Sequence, residues 1–148
     1  MEQFKLDIFK SETGEDLDFT TINDVESDRV KKVMLNLLGL ADCSITTQGL
    51  FKYLEGNIAY KTKYPRSDID GDFMQIMLKK LNVSYPTTGY ILWDMTNKVD
   101  QFDLEYLIKN WDSVWFGVSD EALMLYLPNY KIVLLMTDHG YIGHNLFA

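Results

Sequence analysis

Five residues able to do charge chemistry sit at the ends of apolar runs in the last third of the chain: Asp94, Asp120, Glu121, Asp138 and His139. Oxygen ligands joined by one imidazole can hold Mg²⁺, Mn²⁺ or Zn²⁺, and such a metal can activate water for hydrolysis. Closely spaced carboxyls can also divide into an acid and a base, because mutual repulsion separates their pKa values. A third use is an acidic rim for a basic protein. There is a plainer reading too: Asp, Ser and Gly are ordinary turn formers, and Asp138 before His139-Gly140 needs no ligand to explain it. Trp111, following Asn110 at an expected helix end, is a sixth candidate because that position suits partial exposure. Trp93 and Trp115 fall on expected strands, where core packing explains them.

Whether these residues meet depends on the elements that carry them. Gly89 to Trp93 reads as a strand ending at Asp94. Asp100 is expected to cap a short helix carrying Phe102, Tyr106 and Leu107, and Ser113 to Phe116 reads as the next strand. The segment from Asp94 to Asp112 is long enough for a helical crossover, so the strands at 89–93 and 113–116 are expected to run the same way. The runs Ala122 to Leu127 and Lys131 to Met136 follow, joined by the turn formers Pro128-Asn129, to make a meander. Asp94, the turn Val118-Ser119-Asp120-Glu121 and the turn Thr137-Asp138-His139-Gly140 then share one end of the sheet. These runs are apolar at nearly every position, so both sheet faces must be covered, by other segments, by a second subunit or by a binding partner.

The N-terminal part is mostly helical. Phe4 to Phe9 alternates, and Ser11 to Asp18 reads as an acidic loop. Val30, Val33, Met34, Leu37 and Leu38 keep the three-four spacing of an amphipathic helix, expected over about 24–38. Asn23 with Glu26 suits its N-cap and capping box, and Gly39-Leu40 suits a left-handed C-cap. A second helix is expected from Thr47 to Glu55, with Leu50, Phe51 and Leu54 inward and Gly56 ending it. Residues 57–71 read as irregular. Within them, Asp68-Ile69-Asp70-Gly71-Asp72 has alternating aspartates like a calcium loop, but Gly71 falls fourth from Asp68 rather than sixth, and Lys79 holds the twelfth position, where such a loop needs glutamate. Asp70 or Asp72 is better read as the cap of a helix carrying Phe73, Met74, Met77, Leu78 and Leu81.

Charge and composition exclude several functions. The net charge is −8 over 148 residues, with hydrophobic residues at 47%, the balance of one folded domain spanning 1–148 rather than of a disordered chain. Residues 1–30 hold nine acids against three bases and residues 94–121 seven against two, whereas 31–93 are mildly basic. No basic block is present to neutralise a phosphate backbone, so nucleic acid is not the expected partner; the charge is compatible with a basic protein partner or a bound cation, and acidity also serves solubility alone. The lone Cys43 can form no intramolecular disulfide and no multi-cysteine zinc site. Charges at Glu2, Lys5, Asp7 and Lys10 preclude a secretory leader there, and no run approaches the ~18 apolar residues of a membrane span. A soluble, cytoplasmic protein is expected. Dinucleotide, P-loop and zinc-protease motifs are absent, and Gly117-Val118-Ser119-Asp120-Glu121 lacks the second glycine of a nucleophile elbow.

One stretch invites comparison. Leu127-Pro128-Asn129-Tyr130-Lys131, followed by Leu134-Leu135 and Asp138-His139-Gly140, resembles the Leu-Pro…Tyr…Leu-Leu…Asn-Gly stretch of the SUKH immunity superfamily, whose members neutralise bacterial toxins. The likeness covers about a tenth of the chain. In that superfamily the stretch lies towards the N-terminus and is partly helical, whereas here it is C-terminal and reads as a hairpin. It carries over no site residues.

Together these features imply an α+β domain: N-terminal helices packed on a C-terminal, mostly antiparallel sheet of about four strands. The expected activity is protein binding without cofactor or metal, as an acidic inhibitor or immunity-type protein, through Asp94, Trp111, Asp120, Glu121, Asp138 and His139. The alternative is a metal-dependent hydrolase using Asp94, Asp120, Asp138 and His139.

Overall fold

A computed structural model of the chain describes residues 1–40, 46–58, 60–116 and 120–145. Cys43 and the Val118-Ser119 part of the expected turn lie outside the described residues. The fold is α+β. A seven-stranded sheet has the order β1-β4-β3-β5-β6-β7-β2, and every pairing in it is antiparallel. The strands are β1 (Thr20–Thr21), β2 (Tyr60–Lys63), β3 (Thr88–Trp93), β4 (Val99–Asp103), β5 (Leu123–Leu127), β6 (Ile132–Met136) and β7 (Tyr141–His144). The helices are α1 (Gln3–Thr13), α2 (Asp24–Leu37), α3 (Thr47–Asn57), α4 (Gly71–Lys80), α5 (Leu104–Lys109) and α6 (Trp111–Val114). None of the described helices is long and apolar enough to cross a membrane.

The unbroken apolar runs of β5 and β6 are explained by helices on both faces. On one face Ile91, Trp93, Leu125 and Leu134 pack with Phe9 of α1, Met74 and Leu78 of α4, and Leu104, Leu107 and Trp111 of α5 and α6. On the other, Leu92, Met124, Val133 and Leu135 pack with Val30 and Met34 of α2 and with Leu50, Phe51 and Leu54 of α3. The chain itself therefore covers both faces: α2 and α3 take one, and α1, α4, α5 and α6 the other.

Local signals that rest on a single hydrogen bond match the structure. Asn23 caps α2 by accepting from the Glu26 N–H at 2.9 Å. At the far end Gly39 is left-handed (φ +75°), with Gly39 N–H to Asn36 O at 3.1 Å and Leu40 N–H to Leu35 O at 2.8 Å, the two bonds of a Schellman cap. Asp70 caps α4 through the Phe73 N–H at 2.8 Å, as expected of a capping aspartate rather than a calcium ligand.

Several short elements differ from expectation. Four strands become seven: the expected strand at 113–116 is absent, and four are added, namely β1 and β2 from the N-terminal half, β2 inside the stretch read as irregular, with β4 and β7. β2 pairs with β7 and ends the sheet on that side. Phe4 to Phe9 is helical, since Lys5 and Phe9 share the inward face one turn apart. α3 continues through Gly56 to Asn57, whose side chain donates to Tyr53 O at 2.8 Å. Asp100 is not a cap but a fully buried residue of β4; the helix starts later, capped by Asp103 through the Tyr106 N–H at 3.0 Å. Ser113 to Phe116 is no strand: Ser113 and Val114 belong to α6, and the Trp115 N–H closes that turn on Trp111 O at 2.9 Å. β3 is consequently followed by the antiparallel β4, and β5 pairs with β3 directly, with no parallel crossover between them.

Asp100 fastens the chain start to the sheet. Its Oδ2 faces the Met1 ammonium at 2.8 Å and accepts from Trp93 Nε1 at 3.0 Å, and its Oδ1 accepts from Thr21 Oγ1 at 2.6 Å. A buried charge is tolerated only when paired and hydrogen-bonded, and removing one partner leaves the other uncompensated. Asp100→Ala should therefore cost about 3–5 kcal/mol in urea denaturation. A loss of less than about 1 kcal/mol, the scale of an exposed pair, would show that this carboxylate does not hold the corner.

Candidate functional site

Antiparallel register fixes which loops share an end. Trp93 is opposite Leu123, and Leu123 is opposite Met136, so Asp94, Glu121 and Thr137 lie just past the ends of adjacent strands. This end of the sheet is closed by the start of α1. Lys5, only 1% exposed, points inward from α1. Its ammonium forms an ion pair with Asp120, donates to Val114 O at 2.9 Å, and lies 4.1 Å from the centre of the Trp93 ring. Asp120 is itself buried. Its Oδ2 also accepts from the Phe116 N–H at 3.1 Å, and its Oδ1 from the Glu121 N–H at 2.8 Å.

Beside this ion pair lie two partly buried carboxyls, Asp94 and Glu121. Glu121 is pushed up to about 7 from an ordinary value of 4.5. Burial is the main cause, by removing water from the charged form; a hydrogen bond to the Asp94 side chain and the negative charges of Asp94 and Glu2 add to it. The Met95 N–H, donated to Glu121 Oε2 at 2.8 Å, opposes the shift. Asp94 Oδ1 is buried beside Glu121 without an N–H or hydroxyl donor among the described residues. The outer part of the site is apolar: Met95 is 72% exposed and Phe4 47%, and the Phe4 ring centroid is 6.0 Å from that of Phe116.

The six residues singled out from the sequence separate into three groups. Asp94, Asp120 and Glu121 are together. Asp138 and His139 occupy the β6–β7 turn at the same end but two strands over, a displacement of roughly 10 Å at ordinary strand spacing. Both are exposed, with His139 Nε2 3.6 Å from Asp138 Oδ1. Trp111 is elsewhere and fully buried, its Nε1 donating to Ile69 O at 3.2 Å, so the expectation of an exposed tryptophan is corrected. Its place on a one-turn helix packed into the core, rather than at an open helix end, is the reason.

This geometry bears on metal chemistry. Among the described residues no three of Asp94, Asp120, Asp138 and His139 bring ligand atoms together. The trio that does is Glu2, Asp120 and Glu121, with one oxygen of each within 4.8 Å of the others. Asp120 in that trio already holds Lys5 and two backbone N–H groups. What the arrangement does offer is a pair of neighbouring carboxyls, Asp94 and Glu121, beside the exposed Met95. The sequence gives little sign of Lys5 or Glu2. The available signal is that Lys5 shares a helical face with Phe9, which places a cation among core positions.

Two clefts lie toward the opposite end, since Tyr85 in their lining precedes β3 and Glu105 follows β4. One, of about 360 Å³, is lined by Asp70, Asp72, Glu105, Asp112 and Lys109 among others. The second, of about 390 Å³, shares Gln75 and Tyr85 with it and adds Ile76, Leu78, Lys79 and Val83.

Glu121 gives a pH test. With its folded pKa raised from 4.5 to about 7, the folded chain holds a proton that the unfolded chain has released between those values. The contribution to stability is fully present below about 4.5 and is lost as pH rises through about 7. Glutamine can imitate the protonated form, accepting from Met95 and donating to Asp94. Glu121→Gln should therefore match the parent near pH 4.5 and melt progressively higher than it by pH 8, by an amount reduced by solvent screening at this half-exposed site. A difference that does not change with pH would contradict the raised Glu121 pKa.

Comparison with protein-family models, curated proteins and solved structures finds no match to this chain.

Proposed function

We propose that this chain is a non-enzymatic protein-binding domain, an acidic inhibitor or immunity-type protein that acts inside the cell by covering a basic surface of another protein. One observation carries the reading. Exposed Met95, at the β3–β4 turn, lies beside an acidic group formed by Asp94 and Glu121, with Glu2 alongside, and the cations buried at this end, Lys5 and the Met1 ammonium, are taken up by Asp120 and Asp100. An apolar contact rimmed by charge is the usual anatomy of a protein interface. On the α2 side of the same turn, Lys98 faces Asp24 at 3.2 Å and Lys31 donates to Asn97 O at 2.9 Å, so those cations are also engaged internally. The exposed Asp138 extends the negative rim two strands away.

A basic partner can be sought by affinity capture from the native host, followed by association kinetics on the purified pair. Glu2→Gln combined with Asp138→Asn should slow association severalfold at low salt and have little effect at high salt, while Met95→Ala should speed dissociation. All three side chains are exposed, so the fold should be unchanged. Identical rate constants for the parent and these variants would refute the sheet-end interface.

A further inference from the structure

The two clefts along α4 adjoin one another, and together they form a groove whose halves differ in chemistry. Gln75 and Tyr85 belong to both. On one side the walls are Ile76, Leu78 and Val83, with Ile76 58% exposed although it lies on a helix whose other apolar side chains are largely buried. On the other side stand Asp70, Asp72, Glu105 and Asp112, four carboxylates against the single ammonium of Lys109 among the described side chains. Each acid has a local reason to be there. Asp70 caps α4, Asp72 is in its first turn, and Glu105 and Asp112 are in the first turns of α5 and α6. Acids from the starts of three helices thus line one cleft, and the negative charge accumulates there.

We propose that this groove is a second docking surface, taking a segment of a partner protein in which an arginine or lysine adjoins apolar side chains. The basic group enters the acidic half and the apolar neighbours lie over Ile76 and Val83. Charge complementarity identifies the occupant, and the spacing of the carboxylates separates it from a metal ion. Among the described residues no three of these acids place oxygens within 4.8 Å of one another, as a shared cation would require. Carboxylates set further apart suit the several donors of a guanidinium or a long ammonium side chain. The shape agrees: each half falls within the range of ~300–1,000 Å³ in which proteins seat small ligands and side-chain anchors. The groove is remote from Asp94 and Glu121, so this proposal stands or falls separately from the sheet-end interface.

The test requires no native partner. A blocked peptide of sequence Ala-Leu-Arg-Leu-Leu-Ala is titrated into the ¹⁵N-labelled full chain, alongside the same peptide with glutamate in place of arginine. Saturable shifts should be confined to amides around Asp72, Gln75, Ile76, Glu105 and Lys109, and should be absent with the glutamate peptide. The pair Asp72→Asn and Glu105→Gln should weaken binding by about fivefold, the scale of two exposed charge pairs, with Ile76→Ser weakening it independently. These positions are exposed, and an unchanged melting temperature will confirm folding. No saturable shift at millimolar peptide, or equal response to both peptides, would overturn the proposal. So would the same shifts produced by calcium chloride alone, or by raising the protein concentration without peptide, because the groove would then serve a cation or a second copy of the chain.

Discussion

An ammonium group with almost no access to water lies between α1 and the end of the sheet, and much of the local structure follows from the need to compensate it. Lys5 gives up its hydration for the Asp120 carboxylate, the Val114 carbonyl and the face of Trp93. A carboxylate drawn inward by that charge can in turn collect the Phe116 and Glu121 N–H groups, which sets how the chain enters β5. Met1 and Asp100 repeat the device one strand over. The chain start and α1 are thus held by two buried ion pairs as well as by Phe9, whereas α2 and α3 combine apolar contacts with exposed polar ones such as Lys98–Asp24 and Thr47–Asn97.

The same constraint shapes what remains available for binding. Both sheet faces are closed by helices, so the accessible chemistry is confined to the strand ends and to clefts between helices. At the strand end, the buried cations neutralise Asp120 and Asp100 and leave Asp94 beside Glu121, whose pKa is raised mainly by burial. At the opposite end, acids that individually serve helix starts line a cleft with no buried cation among the described residues. The acidity noted in residues 1–30 and 94–121 is therefore structurally divided: part is neutralised internally, part lines a groove, and part stands exposed at the turns.

How far the sequence revealed this depended on the range of the interaction. Asn23, Asp70 and Gly39 act within a few residues of themselves, and their roles were legible. So were β5 and β6, whose apolar runs admit few alternatives; the shared end of Asp94, Glu121 and Asp138 was also expected, but through a parallel crossover to a strand at 113–116 that the structure replaces with β4, α5 and α6. Four-residue segments were not legible. Val114-Trp115-Phe116 is as apolar as a strand, yet tertiary packing of Trp111 and Trp115 turns its start into helix, and that reversal also removed Trp111 from the surface. Tyr60 to Lys63 becomes a strand only because β7 offers an edge from the far end of the chain. Lys5 and Asp120 lie 115 positions apart, and nothing local to either announces the pair.

The dependence of this sheet end on the buried ion pair is measured most directly by a double-mutant cycle in urea with Lys5→Met, Asp120→Asn and the combination. Each single change leaves a buried group without its partner and should cost about 3–5 kcal/mol, whereas the double change leaves no unpaired charge. The combined loss should fall short of the sum by at least about 2 kcal/mol. Losses that add to within about 0.5 kcal/mol would mean that the two residues act independently, and that Lys5 does not organise this end of the protein.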